Sequence, residues 1–129
     1  MNTPAEKILV VDDEKSFTDL MRMNLIDEGY VVEVENDSSK AIEKAHEFEP
    51  DLILLDIVMP GPDGSDVLRQ IRSEEKMSST PVVLISALVS NEEAKGDAGI
   101  HTPDGLVMAK PVRFDKLLEC IRGLLAPAH

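Results

Sequence analysis

Five polar residues in this sequence follow or end short apolar runs, and their types suit the binding of a phosphate group. Asp12 and Asp13 follow the run Lys7–Val11, a later run ends on Asp56, and two further runs lead into Ser86 and Lys110. If these runs are parallel strands of one sheet, their carboxyl ends share the edge at which open α/β sheets bind ligands. Three carboxylates would then converge beside one hydroxyl and one ammonium group.

Such a carboxylate cluster calls for a cation. Carboxylates a few ångströms apart repel each other, so some would hold protons unless a positive charge lies between them. A small set of oxygen ligands favours Mg²⁺, which keeps several waters and leaves room for a phosphate oxygen. An aspartate can attack phosphorus to form an aspartyl phosphate. Lys110 would then pair with the phosphoryl oxygens, and the Ser86 hydroxyl would donate a hydrogen bond to them.

The apolar pattern predicts the elements that would position these residues. Strand and helix signals alternate about five times, which is typical of an α/β fold with one parallel sheet. The first of these runs is continuously apolar rather than alternating, as expected for a strand covered on both faces. The predicted strands are Lys7–Val11, Tyr30–Val34, Leu52–Leu55, Val82–Ile85 and Leu106–Met108. Residues with helical apolar spacing lie at 17–25, 41–48, 67–71 and 114–125.

The segment from Ser90 to Asp104 fits this pattern least well. It should hold the fourth of five helices, but Gly96, Gly99 and Pro103 leave room only for a short or mobile one. The predicted fold is therefore a doubly wound (βα)5 sheet of five parallel strands with a reduced fourth helix. A strand order of 2-1-3-4-5 would place the first and third strands, and their acids, side by side.

Length and composition limit the class of protein. The 129 residues suit a single domain, and 25 acidic against 13 basic side chains give a net charge of -12. This charge opposes binding to nucleic acid or anionic lipid, so we expect neither as a direct partner. No secretory signal is recognisable, and the one cysteine, Cys120, suits a reducing compartment, so we expect the cytoplasm.

Taken in order, these pieces resemble the receiver domains of bacterial response regulators, the family of the chemotaxis regulator with its flavodoxin-like sheet. The matching segments are Val10–Glu14, Asp51–Gly64, Pro81–Ala87 and Lys110–Pro111. Each segment alone is weak evidence for the family, but the presence of all of them, in this order and at strand ends, is specific for it. The resemblance covers about residues 6 to 126, so we expect residues 1–129 to be one receiver domain.

The resemblance implies roles for individual residues. Asp56 would accept the phosphoryl group, and Asp13 would bind Mg²⁺ directly together with Asp56. Asp12 would act through metal-bound water, and the backbone carbonyl of Val58 would supply a further oxygen. Ser86 and Lys110 would move onto the phosphoryl oxygens. The resemblance also implies a cis peptide bond between Lys110 and Pro111.

Three positions depart from the family pattern. Val107 stands where the family commonly has an aromatic residue that rotates inward on activation. A backbone shift linked to Ser86 must therefore account for more of the conformational change. Val58 and Leu88 are apolar at positions that border the path of attacking water. We expect these two side chains to slow the loss of the phosphoryl group.

The function that follows is a phosphoacceptor switch rather than an enzyme. A histidine kinase or phosphotransfer protein would supply the phosphoryl group, a downstream protein would read the changed surface, and a phosphorylation-dependent dimer is left open. One alternative is a receiver fold used as an unphosphorylated scaffold. Another is a hydrolase of the haloacid dehalogenase type, which needs an acid where this chain has Val58.

The same residues could instead have purely structural roles. Asp12 and Asp13 could cap the following helix, Ser86 could be a turn residue, and Lys110 could be a solvated loop lysine. The Asp63-Gly64 pair is predicted to form a turn and start the third helix.

Overall fold

Strands and helices alternate along the chain in the computed structural model, which describes residues 5–57, 64–86, 100–102, 105–110 and 112–125. The strands are β1 Lys7–Val11, β2 Val31–Glu35, β3 Leu52–Asp56, β4 Val82–Ser86, β5 Ile100–Thr102 and β6 Gly105–Ala109. The helices are α1 Lys15–Asp27, α2 Ala41–Phe48, α3 Gly64–Ser73 and α4 Phe114–Leu125. A single 3-10 turn, Ser38–Lys40, leads into α2.

All six of these strands form one sheet in the order β2-β1-β3-β4-β6-β5. The first five in that order are parallel, and β5 pairs with β6 antiparallel at the edge. Since β6 is the fifth strand of the sequence prediction, the predicted fold class and the strand order 2-1-3-4-5 are confirmed. The edge strand β5 is an addition that the apolar pattern did not predict.

Helices cover both faces of the sheet, which explains why central strands such as β3 and β4 are buried along their whole length. One core cluster joins alternate strand residues such as Ile8 and Leu54 to α1 and α4. The other joins the intervening residues such as Leu9 and Leu55 to α2 and α3. Successive side chains of a strand point to opposite faces, so a strand covered on both sides must be apolar at every position.

The register of the strands brings their carboxyl ends to one edge. Val11 of β1 lies opposite Leu55, and Asp56 of β3 lies opposite Ile85 of β4. Ser86 in turn lies opposite Ala109, the residue before Lys110. The polar residues predicted at strand ends therefore lie together at the carboxyl ends of the parallel strands.

Some boundaries differ from the prediction. β2 begins at Val31, one residue after the predicted start, and Leu20 on α1 is 49% exposed although it belongs to the predicted apolar stripe. In the segment 90–104, which is predicted to hold a reduced fourth helix, residues 90–99 and 103–104 lie outside the described part, and Ile100–Thr102 is a strand. In the part of the chain that the structure describes, none of the helices combines the length and apolar character needed to cross a bilayer.

Candidate functional site

Three carboxylates meet at the carboxyl edge of the sheet. Asp12 and Asp13 follow β1, Asp56 is the last residue of β3, and one oxygen from each lies within 4.8 Å of the others. Asp12 and Asp56 are 1% and 5% exposed, whereas Asp13 is exposed. Two buried acids therefore line the floor of the cluster, and one exposed acid lies at its solvent side.

The loop from β1 to α1 is fixed by hydrogen bonds that hold Asp12 in place. Its backbone N–H donates to the carbonyl of Glu35 at 3.2 Å, and its carbonyl accepts from Asn36 Nδ2 at 2.8 Å. The same amide nitrogen of Asn36 donates to the buried Thr18 hydroxyl at 2.9 Å. The carboxylate oxygen Oδ1 of Asp12 accepts from the backbone N–H of Glu14 at 2.9 Å. Asn36 and Thr18 thus tie β2 and α1 to the site, a role that the sequence did not indicate.

Lys110 joins this cluster from β6. Its backbone N–H donates to the carbonyl of Ser86 at 2.9 Å, which fixes the chain at the end of the sheet. Its Nζ lies 3.0 Å from Asp12 Oδ2, 3.0 Å from Glu14 Oε1 and 3.5 Å from Asp56 Oδ2. The ammonium also lies 4.6 Å from the centroid of the Phe17 ring, a distance suited to a cation–π contact. The lysine is therefore surrounded by acids and one aromatic ring.

The electrostatics of the site favour a cation. Burial raises the pKa of Asp12 to about 6; repulsion from Asp56 adds to the rise, while hydrogen bonds from Glu14 N–H and Lys110 oppose it. Burial alone would lower the pKa of Lys110, but its hydrogen bonds to Asp12 and Glu14 outweigh this and raise it. One lysine only partly neutralises this group of carboxylates, and oxygen donors at this spacing fit Mg²⁺. The donor set is thus compatible with the predicted metal.

Gly64 is fixed by a close approach that the sequence reading did not predict. It begins α3, is buried, and its N–H donates to the carbonyl of Ile57 at 2.8 Å. A Cβ built on Gly64 would overlap the carbonyl oxygen of Asp56 and the Cα of Ile57. The start of α3 can therefore pack on the end of β3 only because residue 64 has no side chain.

The remaining predicted residues divide into two groups. Ser86 is buried at the end of β4, where its carbonyl holds Lys110, and Val107 is half-buried against the core on the α2 and α3 face. Val58, Leu88 and Pro111 lie outside the described residues. The Val58 carbonyl as a metal ligand, the slow loss of phosphate and the cis bond before Pro111 therefore stay predictions.

Comparison with known proteins identifies a family that matches most of the chain. The family model of the response regulator receiver domain matches residues 8–122. That range contains the three clustered aspartates, Glu14, Gly64, Ser86 and Lys110.

Solved structures give the same result. The chemotaxis protein CheY4 of Vibrio cholerae has 27% sequence identity and a TM-score of 0.79, with 95% of this chain and 100% of that chain covered. The N-terminal domain of a response regulator receiver protein from Methanoculleus marisnigri has 29% identity and a TM-score of 0.68, with 95% and 98% covered. The BeF3-activated receiver domain of Klebsiella pneumoniae RstA has 26% identity and a TM-score of 0.77, with 95% and 100% covered.

Proposed function

This chain belongs to the response regulator receiver family, and we propose that it is a phosphorylation switch whose acceptor is Asp56. The observation that carries the proposal is the position of the Asp56 carboxylate. One of its oxygens lies within 4.8 Å of oxygens of Asp12 and Asp13, and Oδ2 lies 3.5 Å from Lys110 Nζ. A phosphoryl group on Asp56 would thus have a cation-binding cluster and an ammonium group as neighbours.

The metal ligands would be Asp12, Asp13 and Asp56, with the Val58 carbonyl implied by resemblance. When bound, Mg²⁺ supplies positive charge against the negative charge of a transferring phosphoryl group. The cation would also favour the ionised form of Asp12, whose pKa is raised by burial and by repulsion from Asp56.

The chain's own groups would do the rest of the work. A carboxylate oxygen of Asp56 attacks phosphorus, the P–O bond of an aspartyl phosphate forms, and the P–N bond of the donor's phosphohistidine breaks. The Lys110 ammonium group and the Ser86 hydroxyl would donate hydrogen bonds to the phosphoryl oxygens. Since the chain is the acceptor of one phosphoryl group and not a catalyst of turnover, we class it as a regulatory domain.

The output would arise from the two strands that carry these donors. The phosphoryl group carries roughly -1.5 to -2 charge in place of the single charge of the Asp56 carboxylate, which would draw Ser86 at the end of β4 and Lys110 after β6 toward Asp56. Because β4 and β6 are neighbours in the sheet, a shift of both would alter the surface next to them. The partners would be a histidine kinase or phosphotransfer protein upstream and a protein target downstream, within the cytoplasm.

The experiment is an intact-mass measurement after incubation with acetyl phosphate and Mg²⁺. We expect the wild type to gain one phosphoryl group only when Mg²⁺ is present, and Asp56→Asn to gain none. Asp51→Asn is the matched control, because Asp51 precedes the same strand but lies at the opposite edge, where it accepts from the backbone N–H of Lys7 at 2.8 Å. This control should be phosphorylated like the wild type.

Two results would contradict the proposal. A wild type that gains no phosphoryl group from acetyl phosphate or from a phosphorylated histidine kinase would favour a scaffold. Equal phosphorylation of the wild type and Asp56→Asn would mean that another residue is the acceptor.

A further inference from the structure

Glu14 occupies a position where its side chain could stabilise α1, but that side chain is directed elsewhere. It is the residue before the first turn of α1, and its carboxylate makes no capping hydrogen bond to the helix. Ser, Thr, Asp and Asn are the residues that usually cap this position. The Glu14 carboxylate instead accepts from Lys110 Nζ at 3.0 Å, across 96 positions of the sequence.

We propose that Glu14 is a positioning residue that competes with the phosphoryl group on Asp56 for the ammonium of Lys110. The inference rests on the proposed function, since it concerns how Lys110 becomes available to Asp56. Lys110 Nζ is 3.0 Å from both Asp12 and Glu14 and 3.5 Å from Asp56, so its two shortest ion pairs are not with the acceptor. An incoming phosphoryl group must therefore draw the ammonium away from one of its closer partners.

Of these two partners, Glu14 is the one that exchanges. The side chain of Asp12 is 1% exposed, so water has little access to replace the ammonium there. The side chain of Glu14 is 60% exposed, so water can replace the ammonium at little cost. Exposed ion pairs contribute little free energy, so the competition should change the rate only a few-fold. In the unphosphorylated protein the ammonium also contacts the Phe17 ring, whose centroid lies 4.6 Å from Nζ.

The test compares Glu14→Gln with the wild type. Removing the competing charge should raise the rate of Asp56 phosphorylation by acetyl phosphate at saturating Mg²⁺ by about 2- to 5-fold. Glu119→Gln is the matched control, because Glu119 also pairs with a lysine, Lys116 at 3.6 Å, and its side chain is 72% exposed on α4. It removes the same charge far along the chain from the site and should leave the rate unchanged.

A double-mutant comparison separates competition from simple charge attraction. Loss of a negative charge could also attract an anionic phosphodonor without any role for Lys110. In a Lys110→Met background, Glu14→Gln should give no further acceleration if Glu14 acts through the ammonium. The same acceleration in both backgrounds would overturn the inference, as would an unchanged rate in Glu14→Gln alone.

A measurement on the unphosphorylated protein keeps this inference distinct from the proposed function. NMR of lysine ammonium groups should show a shift of the Lys110 Nζ signal in Glu14→Gln and none in Glu119→Gln. A changed signal in a protein that accepts no phosphate would count against the phosphoacceptor function but not against the contact. An unchanged signal would show that Glu14 does not hold Lys110 and would overturn the inference.

Discussion

Asp12 is a buried acid whose charged form is disfavoured in the folded protein. Burial raises its pKa from 3.8 to about 6, with repulsion from Asp56 in the same direction. The folded protein therefore binds this proton more tightly than the unfolded chain does. By linkage, the resulting stabilisation is fully present below about pH 4 and is lost as the pH rises through about 6.

This sign gives a prediction for Asp12→Asn in Mg²⁺-free buffer. The amide has no charge to bury and its oxygen can still accept from Lys110, so at pH 8 the variant should be more stable by about 1–3 kcal/mol. The advantage should shrink below pH 6, where the wild-type carboxyl is protonated. Urea unfolding from pH 4 to 8 measures the free energy of unfolding of both proteins. A difference that does not change with pH would contradict the raised pKa.

Residues in the site differ in how far the sequence could predict their place. Asp12, Asp13, Asp56 and Lys110 follow strands, so strand order alone brings them together, and the structure does so. The Glu14 contact with Lys110 depends on two long side chains at loop positions. No periodic pattern reports such a contact, because it arises only after the sheet and α1 have packed.

At the level of elements, the start of α3 supports the acceptor strand directly. Gly64 lies against the carbonyl of Asp56 and donates to that of Ile57, so the helix and the site share one backbone contact. Gly64→Ala should lower the free energy of unfolding by about 1–3 kcal/mol, as overpacking does, and should slow phosphorylation of Asp56. Chemical unfolding and the acetyl phosphate assay measure the two effects.

Gly123 provides the matched control for this substitution. It lies in α4, and a Cβ built there meets nothing within 4 Å. Gly123→Ala should therefore stabilise the protein by about 0.5–1 kcal/mol through helix propensity and leave phosphorylation unchanged. Equal effects of the two substitutions would show that the close approach at Gly64 is not decisive.

The predictability of elements follows their physical signal. Continuous apolar runs predicted the parallel strands β1, β3, β4 and β6, because strands covered by helices on both faces leave few polar positions. β2 lies at the sheet edge and includes Glu33 and Glu35, so its apolar signal is weaker. β5 has only the three residues Ile100–Thr102 and pairs at the sheet edge, so it lacks such a run. The exposure of Leu20 could not be predicted either. Helical spacing identifies an apolar stripe, but it does not show how much of that stripe the sheet covers.

At the level of the whole molecule, the fold must hold its acids together against repulsion. The chain has a net charge of -12, and the carboxylates of Asp12, Glu14 and Asp56 share the ammonium of Lys110, while Asp13 adds a further acid to the cluster. Monovalent salt screens charges over a Debye length of about 10 Å at 0.1 M, so it acts weakly between oxygens in direct proximity. A divalent cation bound among them would remove more of this repulsion than salt can.

Mg²⁺ should therefore stabilise the folded protein by binding and not by screening. A ligand that binds only the folded state adds RT ln(1 + [L]/Kd), which is about 2.7 kcal/mol at a hundredfold excess over Kd. Thermal unfolding monitored across a Mg²⁺ titration should show a rising Tm, while NaCl at matched ionic strength gives a smaller rise. In Asp13→Asn the Mg²⁺ response should fall to that of NaCl, because the exposed acid of the cluster is lost. Equal responses of the wild type to the two salts would mean that the clustered oxygens do not form a metal site.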